Sequence, residues 1–425
     1  MIGAVAALLA ASRIVTLDEA VQSARERQPQ LRQARASTAA ADARAQQAFS
    51  PLLPQLTAIA GYQRTTANRI EQPGSSSVLG LSGGGSSFRT FNSWSDSILA
   101  SQLLFDFGAQ PNRWRAAKAL AESQAQSERA TALTVDFNVR FAYFDARANQ
   151  ALVQVARENL ENLQKHLEQT RAMVEAGTRA EIDLIQARAD TANARVLLIT
   201  AENTYQTSKL TLNAAMGVVG PTDYEIADTQ MPPIPGEDAP LEPLLDEANR
   251  ARPEVQSLED QVRADQLTIR SIEGQYGPAL SAILGFRQGG TRVDQLGWNA
   301  AAGLSLSWNI FQGGLTRAQV SEAQANVMAT VAQLDLLRQQ IQSDVDGARL
   351  ALRAAKESLS STQEALVNAR ERLRLAEERY EVGVGSAIEL GDAQVALTQA
   401  AAQAVQADDR LSTARAQLLR AVGRQ

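Results

Sequence analysis

The run VMATVAQLDLLRQQIQSDVDGARLALRAAKESLSSTQEALVNARERLRLAEERY, residues 327–380, decides the fold of this chain. Apolar residues recur in it at alternating steps of four and three, and only Arg338 and Thr362 break the seam. A 3.5-residue period held over about seven heptads predicts a long coiled-coil helix. Extended to its flanking glycines, that helix would rise roughly 100 Å at 1.5 Å per residue. A second heptad seam, from Leu390 to Ala421, predicts a helix that returns alongside it.

The composition excludes several classes of protein. The 425-residue chain has a net charge of −6, which argues against nucleic-acid binding. The absence of cysteine excludes disulfides, thiolate metal sites and cysteine nucleophiles. No apolar run reaches the ~18 residues that a spanning helix needs. Residues 1–12 are interpreted as the remnant of an export signal without its basic leader, the alternative being an apolar start to the first helix.

Pairs of matching residues indicate that the chain is a tandem duplication. The pairs are Pro29 and Pro253, Pro54 and Pro278, Phe105 and Phe311, Gly177 and Gly383, and Gly217 and Gly423. The two proline pairs are 224 positions apart and the other three are 206 apart. The difference of 18 matches the insertion EQPGSSSVLGLSGGGSSF, residues 71–88, in the first half.

Each copy is predicted to contain an opening helix, two strands, a long helix and a return helix. The first repeat, 16–217, has a helix at 16–49, strands near 54–66 and 95–105, a long helix at 108–176 and a return helix at 180–216. The second repeat, 244–425, has a helix at 244–274, strands near 278–288 and 297–309, a long helix at 314–382 and a return helix at 387–422. A proline-rich linker at 218–243 joins the two repeats.

Strict alternation of apolar and small polar residues between Trp298 and Trp308 predicts a β-strand. Its apolar face would be about 33 Å long, or about 25 Å high when tilted, which matches the aromatic-bounded band of an outer-membrane β-barrel. The strand at 95–105 follows the pattern less well, because Asp96 interrupts its apolar face. The candidate membrane-interface aromatics are Trp298, Trp308, Tyr62 and Phe286. A soluble sheet that covers an ordinary core is the alternative.

Four strands cannot close a membrane barrel, since the smallest single-chain examples use about eight. An unpaired strand edge is not stable in lipid. If the strands cross a membrane, several chains must therefore share one barrel.

The duplicated unit, together with VGVGSAIELGDA at residues 382–393, resembles the TolC family of outer membrane efflux proteins. The resemblance implies a mainly α fold with a membrane β-barrel. In this fold, three copies of the chain would together form a shared 12-stranded β-barrel in outer-membrane lipid. Their helices would form a hollow coiled-coil α-barrel continuous with it. It also implies a location in the outer membrane of a Gram-negative bacterium, extending into the periplasm.

The resemblance further implies a channel with no enzymatic activity and no cofactor or metal, belonging to a tripartite efflux or type I secretion system. Its partners would be a periplasmic adaptor, or membrane fusion protein, and an inner-membrane transporter of the RND, ABC or MFS class. The adaptor-docking tips would be Gly177, Thr178, Arg179, Gly383, Val384 and Gly385. A glycine after a helix is also what an ordinary C-cap requires, so the turn role does not by itself establish docking.

By the same resemblance, acidic residues after the glycine turns would ring the periplasmic aperture and favour cations. The matching positions are Glu389 and Asp392, with Asp183 in the first repeat, where Gln186 replaces the second acid. The alternative is that Ser386 and Glu389 form a capping box. Relatives often carry an arginine where this chain has Gly385, which puts the salt links between their hairpins in doubt here.

The remaining candidates are weaker. The lone His166 has no cysteine partner and is interpreted as solvated. The principal rival function is a periplasmic coiled-coil adaptor or scaffold without a barrel, and a helical-repeat enzyme is a distant third. The alternating strand favours the outer-membrane channel, because a scaffold has no need of a tryptophan-bounded apolar face.

Overall fold

The structure is a computed structural model that describes residues 13–66 and 90–424. The predicted signal remnant at 1–12 and the insertion at 71–88 lie outside these residues. The described residues form the helices α1 (Leu17–Arg27), α2 (Pro29–Phe49), α3 (Ala109–Glu175), α4 (Glu181–Met216), α5 (Leu241–Ala251), α6 (Pro253–Gly274), α7 (Leu315–Glu381) and α8 (Ala387–Val422). They also form the strands β1 (Arg13–Val15), β2 (Gln55–Thr66), β3 (Thr90–Phe105), β4 (Tyr224–Ile226), β5 (Ala279–Gly290) and β6 (Gly297–Ser307).

The order of these elements confirms the predicted fold class. The chain is mainly α-helical, and each half contains helices, a β-hairpin, a 67-residue helix and a 36-residue return helix. None of the helices in the described residues combines the length and the apolar character that a bilayer-spanning helix requires.

The chain separates into two compact units. The first unit contains the ranges Met1–Thr38, Gln124–Leu258 and Gln333–Gln425, and the second contains Ala39–Ser123 and Glu259–Ala332. Both glycine turns belong to the first unit, and the long strands belong to the second.

The opening helix of each repeat is divided in two, which corrects the prediction of single helices at 16–49 and 244–274. The divisions fall at Gln28 and Arg252, each of which precedes a proline. A proline ring clashes with a helical conformation in the residue before it. Both residues accordingly have extended backbones, with ψ angles of 122° and 120°. The prolines themselves begin the next helix, where their missing N–H is not needed.

Each return helix ends at a glycine that packs against one of these divisions. Gly217 has a φ of +69°, and a Cβ there would lie 2.7 Å from the Cα of Gln28. Gly423 has a φ of +84°, and a Cβ there would lie 3.1 Å from the nitrogen of Arg252. Positive φ and close approach both exclude a side chain. The two repeats therefore end in the same way.

The linker between the repeats is fixed in the first unit by a short parallel strand pair that the sequence did not reveal. Val15 of β1 pairs with Ile226 of β4. The fully buried Tyr143 of α3 donates its hydroxyl hydrogen to the carbonyl oxygen of Ala227 at 2.9 Å. This contact satisfies the phenol in the core, as a buried tyrosine requires.

The core of the first unit is built on the predicted heptad seams. On α7 the seam is fully enclosed at Ile341, Val345, Ala348 and Leu352, and it is buried again from Leu373 to Tyr380. The buried seam residues of α8 are Leu390, Ala393, Ala400, Ala407, Leu411, Ala414, Leu418 and Ala421. Each apolar side chain removed from water stabilises the packing by about 25 cal/mol per Å² of buried area.

The second unit contains an antiparallel sheet with the strand order β2-β3-β5-β6. The two hairpins of the duplicated repeats meet at the β3–β5 pair. Among the described residues, β2 and β6 each pair on one side only. They are the two edges of the sheet.

Candidate functional site

The first turn of the first unit connects α3 to α4 and is closed by main-chain hydrogen bonds. The N–H of Gly177 donates to Val174 O at 2.9 Å, and the N–H of Thr178 donates to Met173 O at 2.9 Å. Gly177 has a φ of +72° and open space around the position of a Cβ. The backbone conformation alone therefore calls for glycine at this turn.

The second turn connects α7 to α8 and is tighter. The N–H groups of Val384 and Gly385 both donate to Arg379 O, at 3.1 and 2.8 Å. A Cβ at Gly385 would lie 2.9 Å from the carbonyl carbon of Arg379 and from the nitrogen of Tyr380. Gly385 is therefore required by close packing, which gives a physical reason for the absence of an arginine at this position.

An arginine from the first turn makes a contact with the second hairpin that the sequence did not predict. The guanidinium carbon of Arg179 lies 4.3 Å from the ring centroid of Tyr380, and one of its amino groups donates to Tyr380 O at 3.4 Å. Tyr380 is 2% exposed. A cation over a buried aromatic face is attracted by the ring quadrupole. The two hairpins are thus linked without an arginine at position 385.

The interpretation of His166 as a solvated residue is wrong. Its ring packs edge-on against Tyr380 with centroids 5.4 Å apart, and its Nε2 lies 3.4 Å from Thr170 Oγ1. Burial lowers the pKa of His166, and so does the charge of Arg179, while Asp190 and Asp183 oppose the shift. His166 is therefore part of the packed turn region.

The acidic residues after the second turn differ in their contacts. Ser386 caps α8 by accepting the N–H of Glu389 at 3.1 Å, which is one half of the expected capping box. The Glu389 carboxylate lies 3.2 Å from Arg379 Nε. Asp392 is exposed and has no ion pair within the described residues. Of the two carboxylates, only that of Glu389 has a cationic neighbour.

Asp183 occupies the corresponding first turn of α4. It is half-buried, and its N–H donates to Ala180 O at 3.1 Å. A carboxylate in a first helical turn is stabilised by the helix dipole. The described residues contain no group of three or more His, Cys, Asp or Glu side chains that could hold a metal ion. The structure thus places the three predicted acids near turns and leaves their role at an aperture as a prediction.

In the second unit, the strand register places apolar residues of all four long strands on one face, although Ile59, Leu99 and Ile283 fall on the other. Ala58 pairs with Ile98, Ile98 with Phe286, and Phe286 with Ala300. The next row joins Leu56, Ala100, Leu284 and Ala302 in the same way. Since alternate residues of a strand point to opposite faces, this register produces one continuous apolar face.

Aromatic rings lie at one end of this apolar face. Tyr62 and Trp94 are paired across β2 and β3 with ring centroids 4.6 Å apart, and Phe286 stacks on Trp298 at 6.2 Å. Sequence reasoning missed Trp94, although its alternation with Ile98 and Ala100 could have identified it. Asp96 belongs to the same row as Trp298, so the polar interruption lies among these rings.

Trp308 lies just beyond the end of β6, and not within the strand as the alternation predicted. Its indole N–H donates to Tyr276 O at 3.0 Å. The strand pairing stops at Ser307, opposite Ala279, and the Trp308 ring stays 56% exposed. An aromatic side chain with one apolar and one hydrogen-bonded side suits a membrane–water interface.

Comparison with known proteins gives consistent matches. The profile of the family described as outer membrane efflux protein matches residues 20–218 and 244–424. The toluene efflux pump outer membrane protein TtgC of Pseudomonas putida is 24% identical over 314 residues, which cover 71% of this chain and 63% of that protein. The chain thus spans slightly less than two thirds of that relative. The outer membrane protein TolC of Escherichia coli is 25% identical over 414 residues, covering 92% of this chain and 78% of TolC.

Solved structures agree in fold. The CmeC outer membrane channel of Campylobacter jejuni superposes with a TM-score of 0.82 at 18% sequence identity, covering 96% of this chain and 85% of CmeC. The matching family regions include both repeats and leave out most of the linker between them. The chain therefore belongs to the outer membrane efflux protein family, and it is a protein of the cell outer membrane.

Proposed function

We propose that this protein is a passive exit duct of a tripartite efflux or type I secretion system, formed by three copies of the chain. The observation that carries the proposal is the four-stranded sheet with one apolar, aromatic-bounded face. The apolar side chains of that face include Leu56, Leu284 and Leu304, which are 74%, 59% and 70% exposed in the single chain. A soluble protein rarely exposes a continuous face of this kind, whereas lipid would cover it.

The trimer is supported by the two edges of the sheet. β2 and β6 each leave one row of main-chain N–H and C=O groups without a strand partner in the described residues. Inside lipid such groups must be paired, and each unsatisfied one costs several kcal/mol. Three chains that join β2 of one copy to β6 of the next would close a 12-stranded barrel. This number exceeds the smallest known barrels of about eight strands.

Docking of a periplasmic adaptor at the two turns is supported by exposed apolar side chains. Val382, Val384 and Ile388 at the second turn are 73%, 69% and 76% exposed, and Ile182 beside the first turn is 69% exposed. Val384 is itself a predicted docking residue, and the other three lie within five residues of one in sequence; the predicted set is Gly177, Thr178, Arg179, Gly383, Val384 and Gly385. An adaptor that covered them would remove apolar area from water. An inner-membrane transporter of the RND, ABC or MFS class would supply the energy.

We infer that Asp392 contributes most to a cation-favouring aperture, with Glu389 and Asp183 in support. Asp392 is exposed and free of ion pairs among the described residues, whereas Arg379 offsets the charge of Glu389. Rings of carboxylates select cations in narrow pores. The chain needs no cofactor and no catalytic group for this activity.

The rival function, a periplasmic adaptor or scaffold without a barrel, is not favoured. The sheet and the family both point to an outer-membrane channel. The names of the relatives mention toluene or antibiotic efflux. An efflux cargo of that kind is the natural first choice for substrate trials with this chain.

Reconstitution in planar lipid bilayers tests the proposal. We expect the purified protein to insert and to give discrete conductance steps with a preference for cations. Protein that stays soluble without detergent and does not insert would support the scaffold function. Protein that inserts but never conducts would contradict the duct.

A further inference from the structure

The face of the sheet opposite the apolar one carries a single type of charge. Arg287 of β5 pairs with Ser97 of β3 and with Asn299 of β6, so its side chain shares their face. It is exposed, and no acidic side chain of the described residues is bonded to it. An arginine side chain in a protein carries a positive charge.

The residues next to Arg287 on this face are mostly small, although the larger Ile59, Leu99 and Ile283 also lie on it. Gly61, Ser95, Gly285 and Gly303 lie on it, and a Cβ at Gly303 would meet nothing within 4 Å. Small residues leave room beside Arg287, so its side chain is not enclosed.

The other charged residues of β2, β3, β5 and β6 lie on the opposite, apolar face. Arg64 pairs with Asn92 and belongs to the alternating set of Tyr62, and Asp96 belongs to the row of Trp298. The Asp96 carboxylate therefore lies on the other side of the sheet from Arg287, and Arg64 carries the same sign of charge as Arg287. Within the described residues of these four strands, no carboxylate shares this face with Arg287.

We propose that Arg287 is a selectivity-determining residue that draws anions into the barrel. The inference rests on the proposed trimer, because the face opposite the lipid then becomes the lumen. Three symmetry-related copies of Arg287 form one basic ring at a single height in the barrel. A ring of arginines favours anionic solutes and repels cations.

The ring acts against any cation preference from the acidic aperture, so its effect is a shift in selectivity. In about 0.1 M salt the Debye length is ~10 Å, and removal of the ring should raise the cation-to-anion permeability ratio about twofold. In about 1 M salt the Debye length falls to ~3 Å, and the shift should nearly vanish.

The chain contains no cysteine, which permits a sign-specific test. The reversal potential of Arg287→Cys channels is measured in a potassium chloride gradient across a planar bilayer. The channels are then treated with charged thiosulfonates, and the measurement is repeated. We expect the substitution to shift the reversal potential toward the value for a cation-selective channel. A positively charged reagent should restore the original value, and a negatively charged one should shift it further toward cations.

Two matched variants serve as controls. Arg287→Lys keeps the charge and should keep the original selectivity. Arg64→Cys removes an arginine from the apolar face, where its guanidinium donates to Thr90 Oγ1 at 3.1 Å, and should change the potential neither before nor after labelling. A conducting Arg287→Cys channel with unaltered potential overturns the basic ring alone. A native protein that never conducts overturns the proposed duct and the ring with it.

Discussion

At the scale of single residues, the second turn shows how one glycine is fixed by its neighbours. The sequence identified Gly385 only as a departure from an arginine seen in relatives. The structure shows that a Cβ there would press on the main chain of Arg379 and Tyr380, at 2.9 Å from each. No sequence pattern contains this information, because the contact depends on how the turn folds back on α7.

The glycine prediction compares two positions near the same turn. Gly385→Ala should lower the free energy of unfolding by about 1–3 kcal/mol, since the added methyl group overpacks the turn. Gly391→Ala, at a helical site with nothing within 4 Å, should instead stabilise by up to about 1 kcal/mol. Thermal unfolding followed by circular dichroism measures both. Equal changes in the free energy of unfolding for the two variants would contradict the close packing at Gly385.

The acidic residues give a prediction of selectivity. Asp392→Ala should reduce the cation-to-anion permeability ratio about twofold in low salt, and Glu389→Ala should reduce it less, because Arg379 lies 3.2 Å from the Glu389 carboxylate. Single-channel reversal potentials provide the measurement, and Asp392→Glu is the charge-preserving control. Unchanged selectivity in the double alanine variant would remove the aperture assignment.

Asp409 of α8 predicts a pH dependence of stability. Burial first, and then the charges of Asp145 and Asp408, raise the pKa of Asp409 from 3.8 to about 6, while Arg147 and Arg410 oppose the shift. One of its carboxyl oxygens is buried without a hydrogen-bond partner among the described residues. The folded state therefore binds the proton more tightly than the unfolded state does. The stability that protonated Asp409 contributes is fully present below its unfolded-state pKa of 3.8. It is lost as the pH rises through the folded-state pKa of about 6.

Asp409→Asn should accordingly be more stable than the native protein at neutral pH, and this advantage should disappear on acidification. Urea unfolding as a function of pH measures the difference. Asp408→Asn is the matched control. The Asp408 carboxylate accepts a hydrogen bond from Arg147 at 2.8 Å, so its loss should destabilise the folded protein at neutral pH. An Asp409→Asn variant that is less stable at neutral pH would show the sign to be wrong.

At the scale of elements, a buried carboxylate fastens the proline-rich linker to α7 and α8. Glu237 is 7% exposed, accepts the N–H of Ile234 at 2.9 Å and pairs with Arg415 and Lys356 at 3.1 and 2.7 Å. Burial alone would raise the pKa of Glu237, but these hydrogen bonds and charges hold it below its ordinary value. The arrangement makes the carboxylate a central anchor of the linker.

Glu237→Gln should therefore destabilise the protein by about 2–4 kcal/mol, since it leaves the half-buried guanidinium of Arg415 without its anion. Asp238→Asn removes a neighbouring partner of Lys356 that is 75% exposed, and it should cost less than about 1 kcal/mol. Urea unfolding compares the two. Similar losses in both variants would show that the Glu237 contacts are no stronger than surface ion pairs.

The elements themselves were predictable where one periodic pattern dominates. The heptad seams of α7 and α8 and the alternation of β6 identified long helices and strands directly. The divisions at Gln28 and Arg252 were visible as X-Pro pairs, but alanine-rich helical composition on both sides concealed them. The pairing of β1 with β4 could not be predicted, because three-residue strands carry no period and their register depends on the linker path.

At the scale of the whole molecule, the duplication explains why the sequence was so informative. Two copies of each element allowed weak patterns to be checked against each other, as with the terminal glycines Gly217 and Gly423. Contacts that break the repeat were not predictable in this way. Arg179 over Tyr380 and Arg287 on the polar face of the sheet each occur in one repeat only, and each depends on packing between elements distant in sequence.

The central claim is that three chains share one barrel, and the most direct test is the native mass of the protein extracted from outer membranes in mild detergent. Mass spectrometry that preserves the assembly should give three times the chain mass of 45.7 kDa. Extraction should require detergent, because in the proposed barrel the apolar face of the sheet would lie in lipid. A monomer or dimer released without detergent would contradict the shared barrel and the duct built on it.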